Sequence, residues 1–323
     1  MGGMGGVAIA GETADLEQHR SELTGYCYRM LGSAFDADDA VQETMVRAWQ
    51  NIAGFEGRSS LRSWLYRIAT NVCLDSLRGR QRRALPMDLS APVPASTLPE
   101  RMLPETTWLE PIPDADLAGD PAEQVAHKDS VRLAFVAALQ HLPPKQRAVL
   151  ILREVLAWQA SEVAELLDTT VASVNSALQR ARSTLAETNL SEAGASVPLA
   201  EADKALLARY VAAFEAYDID ALVTLLHEDA GFSMPPFEMW IRGVDQIHEF
   251  YWGHGIGCKD SRLLPVVANG LPAFGHYKRH EDGVCRPWAI QVLEISGGRV
   301  SHLHHFLDTR LFARFGLPPH LEG

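Results

Sequence analysis

A chain of 323 residues exceeds what one small core organises and predicts two or three domains. With 47% hydrophobic and 22% charged residues it has an ordinary globular composition, and it lacks the run of about 18 apolar residues that a membrane-spanning helix needs. A formal net charge of -12 excludes binding to nucleic acid by overall charge, so any such contact must come from local basic patches.

The opening "MGGMGGVAIAGETAD" has neither a basic start nor a sustained apolar run, and reads as neither signal peptide nor myristoylation site. Cys27, Cys73, Cys258 and Cys285 are scattered without a CxxC pair, so no zinc site or disulfide framework is expected, and a reducing cytoplasm fits best. In "DADDAVQETMVRAWQNI" the spacing predicts a helix with Val41, Met45, Ala48 and Trp49 on one buried face and acidic residues at its start, where the helix dipole favours them. After "FEGRSS" a second helix is predicted, with Leu61, Trp64, Leu65, Ile68, Ala69 and Val72 as its buried stripe.

Residues 56–83 hold 7 basic residues against 2 acidic, and form the only net basic block. Its cations are Arg58, Arg62, Arg67, Arg78, Arg80, Arg82 and Arg83, with Asn71 on the same helix. A charge run is ordinarily a solvated face. Beside a helix bearing Trp64 and Tyr66, this one reads as a surface that grips backbone phosphates while bases stack or flip, with Trp64 itself assigned to the core.

Residues 84–122 contain 8 of the 18 prolines, with 7 acidic residues and 1 basic, and are expected to form an extended acidic linker. The next segment reads as helices ending in "QASEVAELLDTTVASVNSALQRARSTL", two short helices about a tight turn. Thr170 is the expected N-cap of the last helix, whose stripe is Val171, Val174, Leu178, Ala181 and Leu185. Its other faces carry Ser173, Asn175, Ser176, Gln179, Arg180 and Arg182: hydroxyls, amides able to read adenine edges, and arginines for phosphates. A solvated surface helix carries the same residue types. The preceding helix and turn, and the lack of any acidic residue between Thr169 and Ala186, favour a helix-turn-helix.

From about residue 200 the pattern is two helices, a strand, another helix, then strands joined by turns, which predicts an α+β domain. His302, His304, Phe306 and Asp308 alternate onto one strand face, and Glu238, Trp240, His276 and Trp288 are candidates for lining the same pocket; His305 points to the other face. Two histidines with an acid can bind a metal or exchange protons. No nucleophile, phosphate loop or HExxH accompanies them, so pocket-lining or ligand-sensing residues are expected, with no metal, no cofactor and no catalysis.

The first segment, "DADDAVQETMVRAWQNIAGFEGRSSLRSWLYRIATNVCLDSLRGRQRR", resembles region 2 of the extracytoplasmic-function (ECF) sigma factors of bacterial RNA polymerase, and "LPPKQRAVLILREVLAWQASEVAELLDTTVASVNSALQRARSTL" resembles their region 4. The block from about 200 is similar to the SnoaL-like branch of the cone-shaped NTF2-like fold, as found in a SnoaL-extended, sigma-G-like group. The resemblance implies that Asp36, Asp39, Gln42 and Glu43 dock on the β′ clamp helices. It implies that the arginines of 56–83 and Asn71 open and read the promoter -10 element, Asn71 at an extruded base, and that the last helix-turn-helix helix reads the -35 element. The linker would then cross the RNA-exit region of the enzyme.

The fold expected is therefore multidomain: two all-α helical domains, region 2 at 15–83 and region 4 at 123–188, a linker at 84–122 and an α+β SnoaL-like domain at 199–323. The expected function is a cytoplasmic sigma factor, with core polymerase (β′ and β subunits) and promoter DNA as partners. The C-terminal domain is expected to regulate it, with a small-molecule ligand as an open question. Two alternatives stand beside this: an autonomous helix-turn-helix regulator with a ligand-sensing domain, and an enzyme housed in the C-terminal domain.

Overall fold

The structure is a computed structural model that describes residues 16–57, 59–98, 100–117, 131–187 and 201–322. Arg58, one of the candidate phosphate contacts, lies outside the described residues. Two compact units are present: described residues up to Arg83 together with those from Asp114 to 187, and residues 84–113 together with those from 201 onward. No helix among the described residues is long and apolar enough to cross a membrane.

The first unit is all helical. Helix α1 (Arg20–Leu31) stops at Gly32, whose φ of 70° supplies the left-handed C-cap and whose N–H bonds the Tyr28 carbonyl. Ser33 then caps α2 (Ala34–Asn51) by accepting from the Asp36 N–H at 3.0 Å. The buried face of α2 is Ala37, Ala40, Val41, Thr44, Met45 and Ala48. Trp49, expected there, is instead 58% exposed, because it lies one residue, about 100°, beyond Ala48 around the helix.

Ser60 caps α3 (Leu61–Ser76). Here too the stripe is rotated from its expected position: Leu65, Tyr66, Ala69, Thr70, Val72 and Cys73 are buried, and Trp64 is half-buried against Phe55. The hydroxyl of Tyr66 explains the shift, since it donates to Glu22 of α1 while Tyr26 and Thr70 hydrogen-bond at 2.7 Å one turn away. Polar partners on α1 allow tyrosines to fill a core that apolar counting assigns to Trp64 and Ile68.

Helices α4 (Leu133–Gln140), α5 (Pro144–Leu150), α6 (Ala160–Leu166) and α7 (Val171–Glu187) complete this unit. A capping box between Gln159 and Glu162 starts α6, and Thr170 accepts from the Ser173 N–H to start α7, as its sequence predicts. Val174, Leu178 and Ala181 are buried; Val171, expected with them, is 43% exposed because it sits at the free first turn. Helix α5 runs into a π-helical turn at Ile151–Val155, after which the chain reverses through Ala157 (φ 55°) and brings Trp158 back into the core.

The packing of α4 and α5 on α1 is fixed by one buried cation. Arg147 donates to the carbonyls of Met30, Gln140 and Leu142 and to the Gln140 side chain. Burial pushes its pKa down to about 10, which still leaves the group charged at neutral pH.

In the second unit, helices α8 (Glu201–Glu215), α9 (Ile219–Val223) and α10 (Val244–Trp252) cover one face of a six-stranded sheet, and α11 (Leu311–Arg314) follows it. The strands are β1 (Leu226–Ser233), β2 (Trp240–Arg242), β3 (Arg262–Ala268), β4 (Leu271–Arg279), β5 (Cys285–Ser296) and β6 (Arg299–Phe306), in the order β2-β1-β6-β5-β4-β3. All neighbours are antiparallel except β1 and β6. The β3–β4 hairpin turns on Asn269 and Gly270, both with positive φ, the pairing a tight two-residue turn requires.

Residues 84–113 are irregular, as their prolines dictate, but they are held by this second unit. The Ala84 N–H bonds the Thr107 carbonyl at 2.8 Å and the Leu109 N–H bonds the Ala84 carbonyl at 3.1 Å, closing residues 85–107 into a loop. That loop lies along the β2 edge of the sheet. Val93 donates to the Trp240 carbonyl, the Trp240 indole donates to the Ser90 carbonyl, Leu103 donates to Pro236, and Glu238 donates to Arg101. Beyond the loop, Ile112 exchanges hydrogen bonds with the backbone and side chain of Asn269.

Candidate nucleic-acid interface and the C-terminal cone

The two basic surfaces of the first unit differ in what they present. On α7, Ser173, Asn175, Ser176, Gln179, Arg180 and Arg182 are all exposed on the face away from Val174, Leu178 and Ala181. Ser173 accepts from the Thr170 hydroxyl, and Arg182 is paired with Glu154 of the π-helical turn, so that arginine ties α7 to α5. Asn175, Ser176, Gln179 and Arg180 remain as an exposed polar stripe about one and a half turns long, with side chains able to hydrogen-bond base edges.

The arginines of α3 and the segment after it are largely committed. Arg62 donates to Glu22 at 2.6 Å and packs with its guanidinium 5.3 Å from the Tyr66 ring and 5.6 Å from the Trp158 ring. Arg80 and Arg83 both bond Asp36, at 3.0 and 2.7 Å, and Arg82 bonds the His141 imidazole. Arg67 donates to the Glu165 carbonyl at the end of α6. Asn71 is exposed, and Arg78 is 82% exposed despite its surface pair with Asp75.

Among the expected polymerase contacts, Asp39, Gln42 and Glu43 are exposed on α2, whereas Asp36 is half-buried under Arg80 and Arg83. Val46 and Trp49 continue the face of Gln42, and with Leu16 and Met45 they line a shallow apolar groove. Counting the helix stripe hid Trp49, because it was placed on the buried face with Met45 and Ala48. An exposed Trp beside an exposed Val is the signal of a docking face.

The C-terminal residues expected to share one pocket separate into three places. His276 lies inside the cone, where Tyr210, Gln291, His276 and Ser261 form a buried hydrogen-bonded chain with links of 2.9, 3.1 and 2.9 Å. His305, which alternation set apart from the others, is the histidine that joins it: its ring is 6.3 Å from His276 and 4.8 Å from Phe232. Burial first, then His305 and Lys278, hold the His276 pKa well below its ordinary 6.5; burial, then His304 and Lys278, push His305 down to about 3. Both imidazoles are therefore neutral, and the Lys278 ammonium lies 3.5 Å over the Trp288 ring.

His302 and His304 face the opposite side of β6, a correction to their placement in the cone. Their rings stack at 5.7 Å, Glu294 of β5 approaches both, and Ser233 hydrogen-bonds His304. Among the described residues no group of three such side chains is arranged to hold a metal. Trp240, Glu238 and Asp308 are in the third place, on the linker: Trp240 bonds Ser90, Glu238 pairs with Arg101, and Asp308 orients Arg310 onto Glu105. The alternation of β6 was readable, but which face closes against α8 and α10 was not.

Residues 16–83 match the Sigma-70 region 2 family, residues 132–185 the Sigma-70 region 4 family, and residues 207–303 the SnoaL-like domain family. Over 317 residues the chain is 50% identical to the ECF RNA polymerase sigma factor SigG of Mycobacterium tuberculosis, covering 96% of this chain and 84% of that one. It is 29% identical over 274 residues to SigJ of the same species, covering 81% and 80%. The crystal structure of M. tuberculosis SigJ matches 96% of this chain and 100% of that one, with a TM-score of 0.59 and 25% identity. Both relatives are named as RNA polymerase sigma factors. The chain belongs to the extracytoplasmic-function sigma factors of RNA polymerase, with two helical sigma regions and a SnoaL-like C-terminal extension.

Proposed function

We propose that the C-terminal domain regulates this sigma factor by holding its linker, and that the promoter is read only after core polymerase takes that linker. One observation carries the reading: residues 85–107 are bound to the β2 edge through backbone hydrogen bonds at Val93, Leu103 and Glu238. A linker bonded to β2 is not free to thread a polymerase channel, so the domain and the enzyme compete for the same chain. Within the holoenzyme, α7 takes the -35 element through Asn175, Ser176, Gln179 and Arg180, and α3 with Asn71 and the following arginines takes the -10 element. The α2 face of Asp39, Gln42, Glu43, Val46 and Trp49 docks on the β′ subunit, in the cytoplasm where polymerase works.

A small polar ligand in the cone is the reading that employs the Tyr251 hydroxyl and His305 Nε2, which are buried without a hydrogen-bond partner among the described residues. Run-off transcription with reconstituted polymerase tests the main reading, comparing the full chain with one ending at residue 194. The shorter chain is expected to initiate more often at equal concentration. Equal output from both contradicts regulation by the domain, and no transcript from either contradicts the sigma role.

A further inference from the structure

Near the end of β4, Lys278 carries a half-buried ammonium with no carboxylate in ion-pairing distance among the described residues, in a chain of 41 acidic residues against 29 Lys and Arg. It lies 3.5 Å over the Trp288 ring and hydrogen-bonds the Cys258 thiol. Burial pushes the Cys258 pKa up, so the thiol is neutral and offsets none of the charge. A cation drawn partly out of water without an anion is costly. Its field reaches inward: after burial and a neighbouring histidine, it is the next cause lowering the pKa of His276 and of His305. Inside the cone, the Tyr251 hydroxyl and His305 Nε2 are buried without a hydrogen-bond partner among the described residues. Their rings belong to one neighbourhood. Tyr251 is 5.9 Å from Phe232 and 6.1 Å from Phe214, His305 is 4.8 Å from Phe232, and His276 is 5.1 Å from Phe214. His276 spends both ring nitrogens on Ser261 and Gln291, so the spare polar capacity is on Tyr251 and His305.

We propose that the cone takes a small organic acid of one negative charge, with its carboxylate on the Lys278 ammonium and an oxygen of its apolar body between Tyr251 and His305. This rests on the reading of the cone as a ligand site and names the class of ligand. Trp288 and Cys258 hold the ammonium in place without neutralising it, which leaves it ready for an anion. One ammonium among neutral groups suits a carboxylate, whereas the second charge of a phosphate would face only uncharged rings. The Tyr251 hydroxyl donates, and a neutral imidazole either donates or accepts at Nε2, so the inner contact fits a hydroxyl or carbonyl oxygen. The aromatic rings around both groups suit a flat apolar body.

Calorimetric titration of the full chain with para-hydroxybenzoate and with para-hydroxybenzamide, two probes of like shape that differ in charge, tests this. The acid is expected to bind about tenfold tighter than the amide or more, and Lys278→Met is expected to remove that advantage. Equal binding of acid and amide by the wild-type chain overturns the anionic class and leaves the cone a ligand site; binding of neither overturns the proposal and the ligand reading together. Inorganic phosphate is the third titrant, and binding that matches the acid's overturns the choice of a carboxylate. The place of binding is read on the wild-type chain, so it stands whether or not Lys278→Met folds. Acetylation of each lysine by acetic anhydride is followed by mass spectrometry with and without saturating para-hydroxybenzoate. Lys278 is expected to be protected several-fold, with the exposed Lys259 unchanged as reference. Acid binding that leaves Lys278 as reactive as before puts the acid elsewhere and overturns the site.

Discussion

The two helices proposed to read the promoter meet opposite fates in one helical unit. Helix α7 shows its polar stripe to solvent, while the arginines on and after α3 are spent on Glu22, Asp36, His141 and the end of α6. Both helices have good caps and similar amphipathic patterns, so local sequence does not distinguish them. What differs is the neighbour. Helix α7 packs its apolar side on α5 and α6 and exposes its polar side among the described residues, whereas α3 lies between α1 and the second half of the unit. A basic surface in a chain of net charge -12 finds internal carboxylates unless a partner offers a better anion, and on the proposed reading that partner is the promoter held by core polymerase.

Acid gives the largest separation of the two units. His276 and His305 are buried neutral, with pKa values held below the ordinary 6.5, so the unfolded chain takes up protons that the folded one refuses. The stability they allow is complete above pH 6.5 and falls as pH drops toward about 3. By pH 5 His305 is expected to remove about 2 kcal/mol relative to pH 8, and His276 acts in the same direction. Differential exchange or unfolding should then show the C-terminal unit and its linker loosening while α3 stays covered; equal loosening of both units would erase the distinction.

The next largest effect is expected from Arg147→Ala. Removing the guanidinium leaves the carbonyls of Met30 and Leu142 and both acceptors of Gln140 unpaired, and about 3 kcal/mol of stability should go from the helical unit alone. Thermal unfolding read by helix content checks this, and a loss below about 1 kcal/mol would deny Arg147 its role as the anchor of α4 and α5 on α1.

On the open helix, Gln179→Ala should cost about 2 kcal/mol of discrimination at a single -35 base pair without altering stability. Holoenzyme binding to duplexes changed one position at a time measures it, and a uniform loss across all sequences would make Gln179 a backbone contact. The smallest effect belongs to Arg310→Ala. Its pair with Glu105 is more than half exposed, so only a few tenths of a kcal/mol should be lost from the linker's hold, readable as faster exchange at Leu103 and Thr107.

The main helices, the Thr170 cap and the last four strands were legible because period, Thr170 and the turn residues are local signals, whereas β2 and the parallel β1–β6 pairing were not. What escaped is long range. Asp36 finds Arg80 and Arg83 across a gap of more than 40 residues, and nothing in "DADDAVQET" tells a polymerase contact from an internal ion pair. Tyr66 displaced Trp64 from the core because Glu22 and Tyr26 on another helix satisfy it. The linker's attachment runs mainly through backbone N–H and carbonyl groups, which leave no side-chain signature, so Trp240 and Glu238 read as pocket residues when they are a grip.

Dependence of promoter affinity on polymerase is measured by titrating a duplex from which the reconstituted enzyme makes transcript, at physiological salt, with the full chain alone and with the chain plus core polymerase. The account predicts weak, sequence-indifferent binding by the chain alone and tight, specific binding only when both proteins are present. Tight and specific binding by the chain alone would contradict it, and would describe an autonomous helix-turn-helix regulator instead.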